Sequence, residues 1–446
     1  CSMKITIAGN LTIENQTDTE FALLKSENEW PNPAIATAEK LGRYSAHLPP
    51  MVEAWSEEDG VLTLPRGYLD RLLELYDPAT IQDHRTVAPV DMPQLESITY
   101  RDYQQLMLDQ AYRHEQGVLV APTGSGKTIL GMALIAHHGE RALILTHSKG
   151  LASQWRREIQ KWMGVEAGTI GSGKWKEGEE ITVCMLQTLH RSPERAAELF
   201  SRHGLTLIDE THRVAAQTFS EVIKWSSAKR RYGLTATPLR RDGLHDLIHR
   251  NVGDIIASID PDKVEKQGGI VPATVKVIQT GFTPSWSVDS WNDYLGELVE
   301  SEERNQMIAN LALQGSESAP TLVLTDRIAH VGNIAAFLDD VLEIHGKLPA
   351  KERRSRMEKI AEHKITIGTV NLLGEGLDVS GWGVLIMATP ISSKVRLLQA
   401  IGRVIRPHEG KQRGYVADLV DDHGFSIASH RKRLAIYEER SYRVTQ

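Results

Sequence analysis

The segment Ala121-Pro-Thr-Gly-Ser-Gly-Lys-Thr128 follows an apolar run and precedes Ile129, Leu130, Ala133 and Leu134 at helical spacing. A glycine-rich turn between a strand and a helix can aim backbone N–H groups at phosphate oxygens, helped by the helix N-terminus. Pro122, Thr123, Gly124, Ser125 and Gly126 would form that cradle, Lys127 would reach the β- and γ-phosphates, and Thr128 would ligate Mg2+. The usual pattern opens on glycine, and Ala121 is small enough to keep the turn. About eighty residues later Leu205, Leu207 and Ile208 lead into Asp209-Glu210-Thr211-His212. Ligands of open α/β sheets sit at the carboxyl ends of parallel strands. There Asp209 would hold Mg2+ through water, and Glu210 would accept a proton from an attacking water. The two segments, in this order, predict hydrolysis of a nucleoside triphosphate.

Such hydrolysis also needs positive charge opposite the γ-phosphate. Gln399-Ala-Ile-Gly-Arg-Val-Ile-Arg-Pro407 offers it: Gln399, Arg403 and Arg406 stand four and three apart, which predicts one helix face ended by Pro407. Ile401, Val404 and Ile405 mark the opposite side as buried, and Gly402 permits close approach. If the nucleotide lies between two domains, hydrolysis depends on their closure, which is how a motor couples chemistry to movement.

The elements that must position these groups show in the patterning. Residues 1–92 read as a small α+β unit. Ile5, Ile7, Leu11 and Ile13 alternate around Gly9-Asn10, a hairpin signal, and Tyr68, Leu69, Leu72, Leu73 and Tyr76 fall at helical spacing after Pro65. Thr86–Pro93, with two prolines, reads as a linker. From there to about residue 265, buried-strand runs at Gly117–Val120, Ala142–Leu145, Ile181–Met185 and Leu205–Ile208 alternate with helical stretches. Gln267–Pro272 breaks the rhythm. It resumes over 266–446 with Thr321–Leu324, Leu342–Ile344, Ile365–Ile367, Val384–Met387 and Val416–Leu419. The expectation is two tandem α/β domains, 93–265 and 266–446, each a parallel sheet wrapped by helices.

At 446 residues, two or three domains are natural. No apolar run approaches the eighteen or so residues of a membrane-spanning helix, and no signal-peptide pattern opens the chain, so a cytoplasmic protein is expected. Cys1-Ser2 before Met3 reads as an expression remnant. That leaves Cys184, in an apolar run, as a core residue, and excludes a disulfide framework or a cysteine zinc site. The net charge of −7 rules out an indiscriminately basic surface but permits a local groove. Of the basic clusters, only Arg240-Arg241 rises above a solvated helix face, because of its place after Leu234-Thr-Ala-Thr-Pro238.

Taken together, the motifs resemble the superfamily-two helicases and translocases, whose blocks occur here in order from Arg101 to Arg406. The resemblance implies two tandem RecA-like domains, ATP and Mg2+. It implies an adenine-reading role for Arg101 and Gln104, and nucleotide and ribose contacts from Gly376 and Asp378 in Thr369–Asp378. Leu145–Trp155 and Thr182–Leu189 are similar to strand-contacting blocks. Leu234–Pro238 resembles the block that links ATP site to nucleic acid, with Thr235, Thr237 and also His212 as coupling residues. Nucleic acid would be held mainly through its phosphates, indifferent to sequence, by Thr146, Ser148, Thr188 and Arg240 in the first domain and Thr325, Arg327 and Thr369 in the second. Such a groove needs few Lys or Arg, which accommodates the acidic charge. Trp155, Trp175, Trp286 and Trp291 could stack on bases but fit core packing better.

Within the superfamily the likeness is to the XPB/UvsW-like group. Pro238-Leu-Arg-Arg-Asp-Gly243 is similar to its arginine–acid signature, with Arg241 where that signature carries an acid, and Gly268–Pro272 and Glu303-Arg-Asn305 resemble it too. The resemblance implies a phage or bacterial DNA helicase acting on forks and Holliday junctions in recombination, repair or replication. Its partners would be single-stranded or branched DNA and proteins of those pathways, with no membrane; for a phage protein the place is the host cytoplasm. Two alternatives stay open: an RNA-directed helicase, and a motor subunit serving a partner nuclease, although residues 1–92 show no nuclease-like acid/lysine cluster.

Overall fold

The computed structural model describes residues 3–40, 44, 46–76, 80–122, 124–210, 216–236, 245–285, 288–373, 379 and 381–445, with backbone only at 37, 40, 80, 216, 217 and 245. Thr123, His212, Thr237, Arg240, Arg241, Trp286, Gly376 and Asp378 therefore lie outside the described residues.

Alternation in the first residues builds a five-stranded sheet in the order Ser56–Glu58, Val61–Pro65, Asn10–Glu14, Lys4–Ile7, Thr80–Asp83. Ile5 faces Ile13 and Ile7 faces Leu11 across the hairpin, so every second side chain enters one small core with Leu24, Leu62, Leu64, Tyr68, Leu69 and Leu72. The turn at Arg66–Tyr68 runs into helix Leu69–Leu75.

The second sheet runs Lys174–Lys176, Gly168–Gly171, Ile181–Met185, Ala142–Thr146, Leu205–Asp209, Arg230–Thr235, Gln116–Val120, Ile255–Ser258. All of its pairings but the first are parallel. Its central strands are buried along their length because helices cover both faces, which is why they read as continuous apolar runs. Sequence patterning misses Arg230–Thr235, whose charged start hides a buried strand: Arg231 is itself buried.

Residues 86–93 are laced to this sheet. Thr86 exchanges hydrogen bonds with Ser227 and Lys229, Ala88 accepts from Arg141 N–H, and Val90 donates to Gly139. The segment whose prolines suggest a linker is a strap.

A third sheet, fully parallel, runs Leu342–Ile344, Ile365–Thr369, Thr321–Thr325, Val384–Met387, Gly414–Val420, Ala273–Gln279, Arg443–Thr445. Helix Glu302–Ser318 packs on it through Ile308, Ala309 and Ala312. The chain divides into two compact units, with the change from first to second at Asp260–Pro261. The fold is mixed α/β with two parallel sheets in tandem behind a small N-terminal α+β layer. Among the described residues no helix is long and apolar enough to cross a membrane.

Candidate nucleotide site and nucleic-acid face

Strand Gln116–Val120 delivers the phosphate loop, and helix Lys127–His138 receives it. Gly126 caps that helix at φ 84°, left-handed backbone that favours glycine. A Cβ there would lie 2.6 Å from Gln104 Nε2, so the amide abuts the loop. Gln104 is buried at the start of helix Asp102–Ala111, and its Oε1 accepts the Arg101 N–H at 2.9 Å. Arg101 in turn donates to the Tyr103 hydroxyl at 3.2 Å. The pair expected to read the base thus sits beside the loop expected to hold the phosphates.

Strand Leu205–Asp209 brings the acids to the same edge. Lys127 Nζ lies 3.1 Å from Glu210 Oε1, with both side chains largely covered. Glu210 has φ 55°, a left-handed conformation rare for a non-glycine residue and common at catalytic positions. Asp209 is buried, and Trp155 Nε1 donates to its Oδ2 at 2.7 Å. Burial, then the neighbouring Glu210 charge, pushes the Asp209 carboxyl above its ordinary range, while Lys127 and the Trp155 hydrogen bond pull it back.

The strand between the two motifs ties them together. Ala121 N–H donates to Thr235 O at 2.8 Å, and Glu210 N–H donates to Leu234 O at 3.0 Å. Thr235, expected to couple the ATP site to nucleic acid, is therefore bonded to the phosphate loop's first residue and adjoins the acid's anchor.

The donor set suits Mg2+. Asp209 Oδ1 is buried without a hydrogen-bond partner among the described residues, and Thr128 opens the adjoining helix beside Lys127. A buried carboxylate oxygen left unpaired is suited to a cation or its water. The residues fit the group.

Trp155, which its sequence context offers as core or stacking, is a core residue that also hydrogen-bonds Asp209. Leu151, Trp155 and Ile159 line the buried face of helix Lys149–Met163, and the indole N–H finds Asp209. The signal is present in the sequence, since a buried tryptophan needs an acceptor. Trp175 lies partly buried under the Arg195 guanidinium, and Trp291 packs on Tyr294 and Phe425. Cys184 is buried, and burial pushes its thiol up.

In the second unit, Gln399 and Arg403 lie on helix Lys394–Val404, and Ile401, Val404 and Ile405 are buried as expected. The shared face does not extend to Arg406. The helix ends at Val404, because Pro407 disfavours helical backbone at the residue before it.

The nucleic-acid candidates gather at strand ends of their own sheets. Thr146 closes strand Ala142–Thr146, but it is buried and its hydroxyl donates to Cys184 O at 3.1 Å. Ser148 caps the next helix, accepting Leu151 N–H at 3.3 Å. Thr188 is half-buried in helix Leu186–His190. Thr325 and Thr369 close adjacent strands of the third sheet. Arg327 is exposed at the start of helix Ile328–Ala335.

A phosphate loop and an acid pair on neighbouring ends of a parallel sheet define a P-loop nucleotide hydrolase. A model described as the res subunit of type III restriction enzymes matches residues 97–240, and one described as the helicase conserved C-terminal domain matches 303–408. Together they cover more than half of the chain, which belongs to the superfamily-two helicases. The chain is 27% identical to the probable helicase D10 of Escherichia phage T5 over 83% of each protein. It is 29% identical to a DNA 3'-5' helicase XPB of Kineococcus radiotolerans over 77% of this chain and 64% of that one. The structure titled S. cerevisiae Dbp5 bound to RNA and ADP BeF3 shares the fold at 14% identity, with a TM-score of 0.58 over 78% of this chain and 90% of that one.

Proposed function

We propose that this ATP-dependent helicase is a DNA translocase acting on branched DNA, regressing forks and migrating Holliday junctions. The observation that carries the ATPase is the Lys127–Glu210 pair beside buried Asp209. DNA as the track is supported by relatives named DNA 3'-5' helicases, and 3'-to-5' movement is the matching polarity. The junction preference rests on the motif series, including Pro238–Gly243.

Pro122 to Gly126 cradle the phosphates, and Arg101 and Gln104 read the base. Thr128 and Asp209 would hold Mg2+, which would supply charge neutralisation to the phosphates. Lys127 moves its charge from Glu210 toward the β- and γ-phosphates when ATP binds. That frees Glu210 Oε1 from the ion pair it makes at 3.1 Å and leaves it to accept the proton of the attacking water. Arg403 and Arg406 supply charge from the second unit and Gln399 a polar contact, with Gly376 and Asp378 on nucleotide and ribose. His212, Thr235 and Thr237 pass the state of the site to Thr146, Ser148, Thr188, Arg240, Thr325, Arg327 and Thr369. Residues 1–92 serve junction recognition ahead of motor units 93–265 and 266–446.

The test is ATPase activity with single-stranded DNA, forked DNA and RNA of one sequence, then regression of a synthetic fork by the isolated chain. DNA stimulation with fork regression is expected, and Lys127→Ala and Arg406→Ala should each abolish turnover. Glu210→Gln should bind ATP without hydrolysing it. Stimulation by RNA alone would move the protein to RNA, and failure to regress a fork without partners would favour a subunit of a larger machine.

A further inference from the structure

Glu303-Arg304-Asn305 has no place in the ATP chemistry, yet Arg304 and Asn305 are buried at the start of helix Glu302–Ser318. Their bonds lead to the strand ends of the third sheet. Arg304 pairs with buried Asp421 and donates to Ala388 O at 2.8 Å, so it fixes the ends of two strands. Asn305 leads to a third.

Asn305 Nδ2 donates to Val299 O at 2.8 Å, which sets the amide so that Oδ1 must accept. His330 Nε2 is 2.8 Å from that Oδ1 and therefore carries a proton. The ring is buried and held neutral by burial, so Nδ1 carries none. Thr325 Oγ1, 2.8 Å from Nδ1, donates its single proton there. Only oxygen lone pairs remain on Thr325, and Arg327 N–H points at them from 3.3 Å. The relay therefore has one direction: Arg327 N–H to Thr325, Thr325 to His330, His330 to Asn305.

Two consequences follow for the loop. Phosphodiester oxygens are acceptors, so a threonine whose proton is already given cannot bind one. The other end of the loop is pinned as well, since Asp326 N–H donates to Thr389 Oγ1 at 2.9 Å and its carboxylate takes Arg396. What stays outside is the Arg327 guanidinium, whose one side-chain partner among the described residues is exposed Asn292 at 2.8 Å.

We propose that Asn305 and His330 are positioning residues which act through Thr325 to aim Arg327 at a nucleic-acid phosphate. The proposal rests on the nucleic-acid reading above and divides the work within it: Arg327 touches the phosphate and Thr325 holds Arg327.

The experiment uses the full chain and labelled single-stranded DNA, with binding followed against salt and ATPase followed against DNA concentration. Arg327→Ala should weaken binding about tenfold and reduce the slope of log affinity against log salt by about one. Thr325→Val should raise the DNA concentration for half-maximal stimulation about threefold to tenfold, with a lower melting temperature because it leaves buried His330 Nδ1 without its donor. Thr325→Ser should restore it. His330→Leu, or Asn305→Ala should that variant not fold, should match Thr325→Val. Adding Thr325→Val to Arg327→Ala should cost nothing further. Additive losses in that double variant, or wild-type stimulation in His330→Leu and Asn305→Ala, would overturn the relay while leaving DNA binding intact. A wild-type chain that binds neither DNA nor RNA would overturn the nucleic-acid reading along with it.

Discussion

Trp155 donates its indole N–H to Asp209, and that puts a hydrophobic side chain in contact with the acid proposed to hold Mg2+. Of the two Asp209 oxygens, one is bound by Trp155 and the other is buried with no hydrogen-bond partner among the described residues. A charge-assisted hydrogen bond of this kind contributes about 1.5–3 kcal/mol, and its geometry fixes the plane of the carboxylate. Trp155→Phe keeps most of the packing and removes only the N–H. The expected outcome is a severalfold rise in the Mg2+ concentration for half-maximal ATPase, with a smaller loss at saturating Mg2+. Titration of ATPase with Mg2+ at fixed ATP checks it. Equal losses at all Mg2+ concentrations would mean that the indole serves packing alone. Gly131 belongs to the same device: a Cβ there would lie 2.6 Å from Trp155 Cη2 and 2.8 Å from Leu207 Cδ2, so the helix approaches this closely only without a side chain.

At the scale of elements, strand ends do the organising. Helix Lys394–Val404 carries Gln399 and Arg403, and its Arg396 also reaches Asp326 and, at 3.4 Å, Asn371 Oδ1. One guanidinium thus joins the helix assigned to ATP with the loop assigned to nucleic acid. Arg396→Ala is expected to leave basal ATPase within about twofold and to cut DNA-stimulated ATPase about tenfold, the order for losing a partly buried charge pair in a network. The ratio of stimulated to basal rate is the measurement, and a proportional fall in both would make Arg396 merely structural. Much of this layer is legible in the sequence. Buried strands such as Ala142–Thr146 and Thr321–Thr325 are unbroken apolar runs, and the phosphate loop and acid pair are local patterns. Arg230–Thr235 and the Arg304–Asn305 network are not, because a buried arginine looks like a surface residue until its acceptors, distant in sequence, are known. Spacing alone puts Arg406 on a helix it lies beyond, since spacing does not weigh the restriction that Pro407 imposes.

At the scale of the molecule, the N-terminal layer is built into the first motor unit. Arg66 is fully buried and donates to Gln116 Oε1 at 3.0 Å and Ala228 O at 2.5 Å. Arg231 donates to Asn251 O at 2.7 Å and Gly9 O at 3.0 Å. A Cβ on Gly9 would fall 1.9 Å from Lys224 O. Removing residues 3–86 would therefore strand buried donors and acceptors on the first parallel sheet, at about 1–3 kcal/mol each. Melting should show this layer unfolding with the first sheet in one step, and the second unit, which has a core of its own, in another. Both steps should be acid-sensitive, because each unit buries a neutral histidine. Burial lowers His203 to about 4 and His330 to about 3, against an ordinary value of 6.5. Above pH 6.5 neither state takes the proton and the full stability is present. As pH falls below 6.5 the unfolded chain binds protons that the folded chain refuses, so stability declines until the folded values are reached. Between pH 6.5 and 5.5 each histidine removes about 1 kcal/mol from its own unit. Calorimetry at the two pH values should therefore show both transitions moving down. His330→Asn should flatten the pH dependence of the second unit's transition and leave that of the first unchanged; equal flattening of both would mean that the two units do not unfold separately.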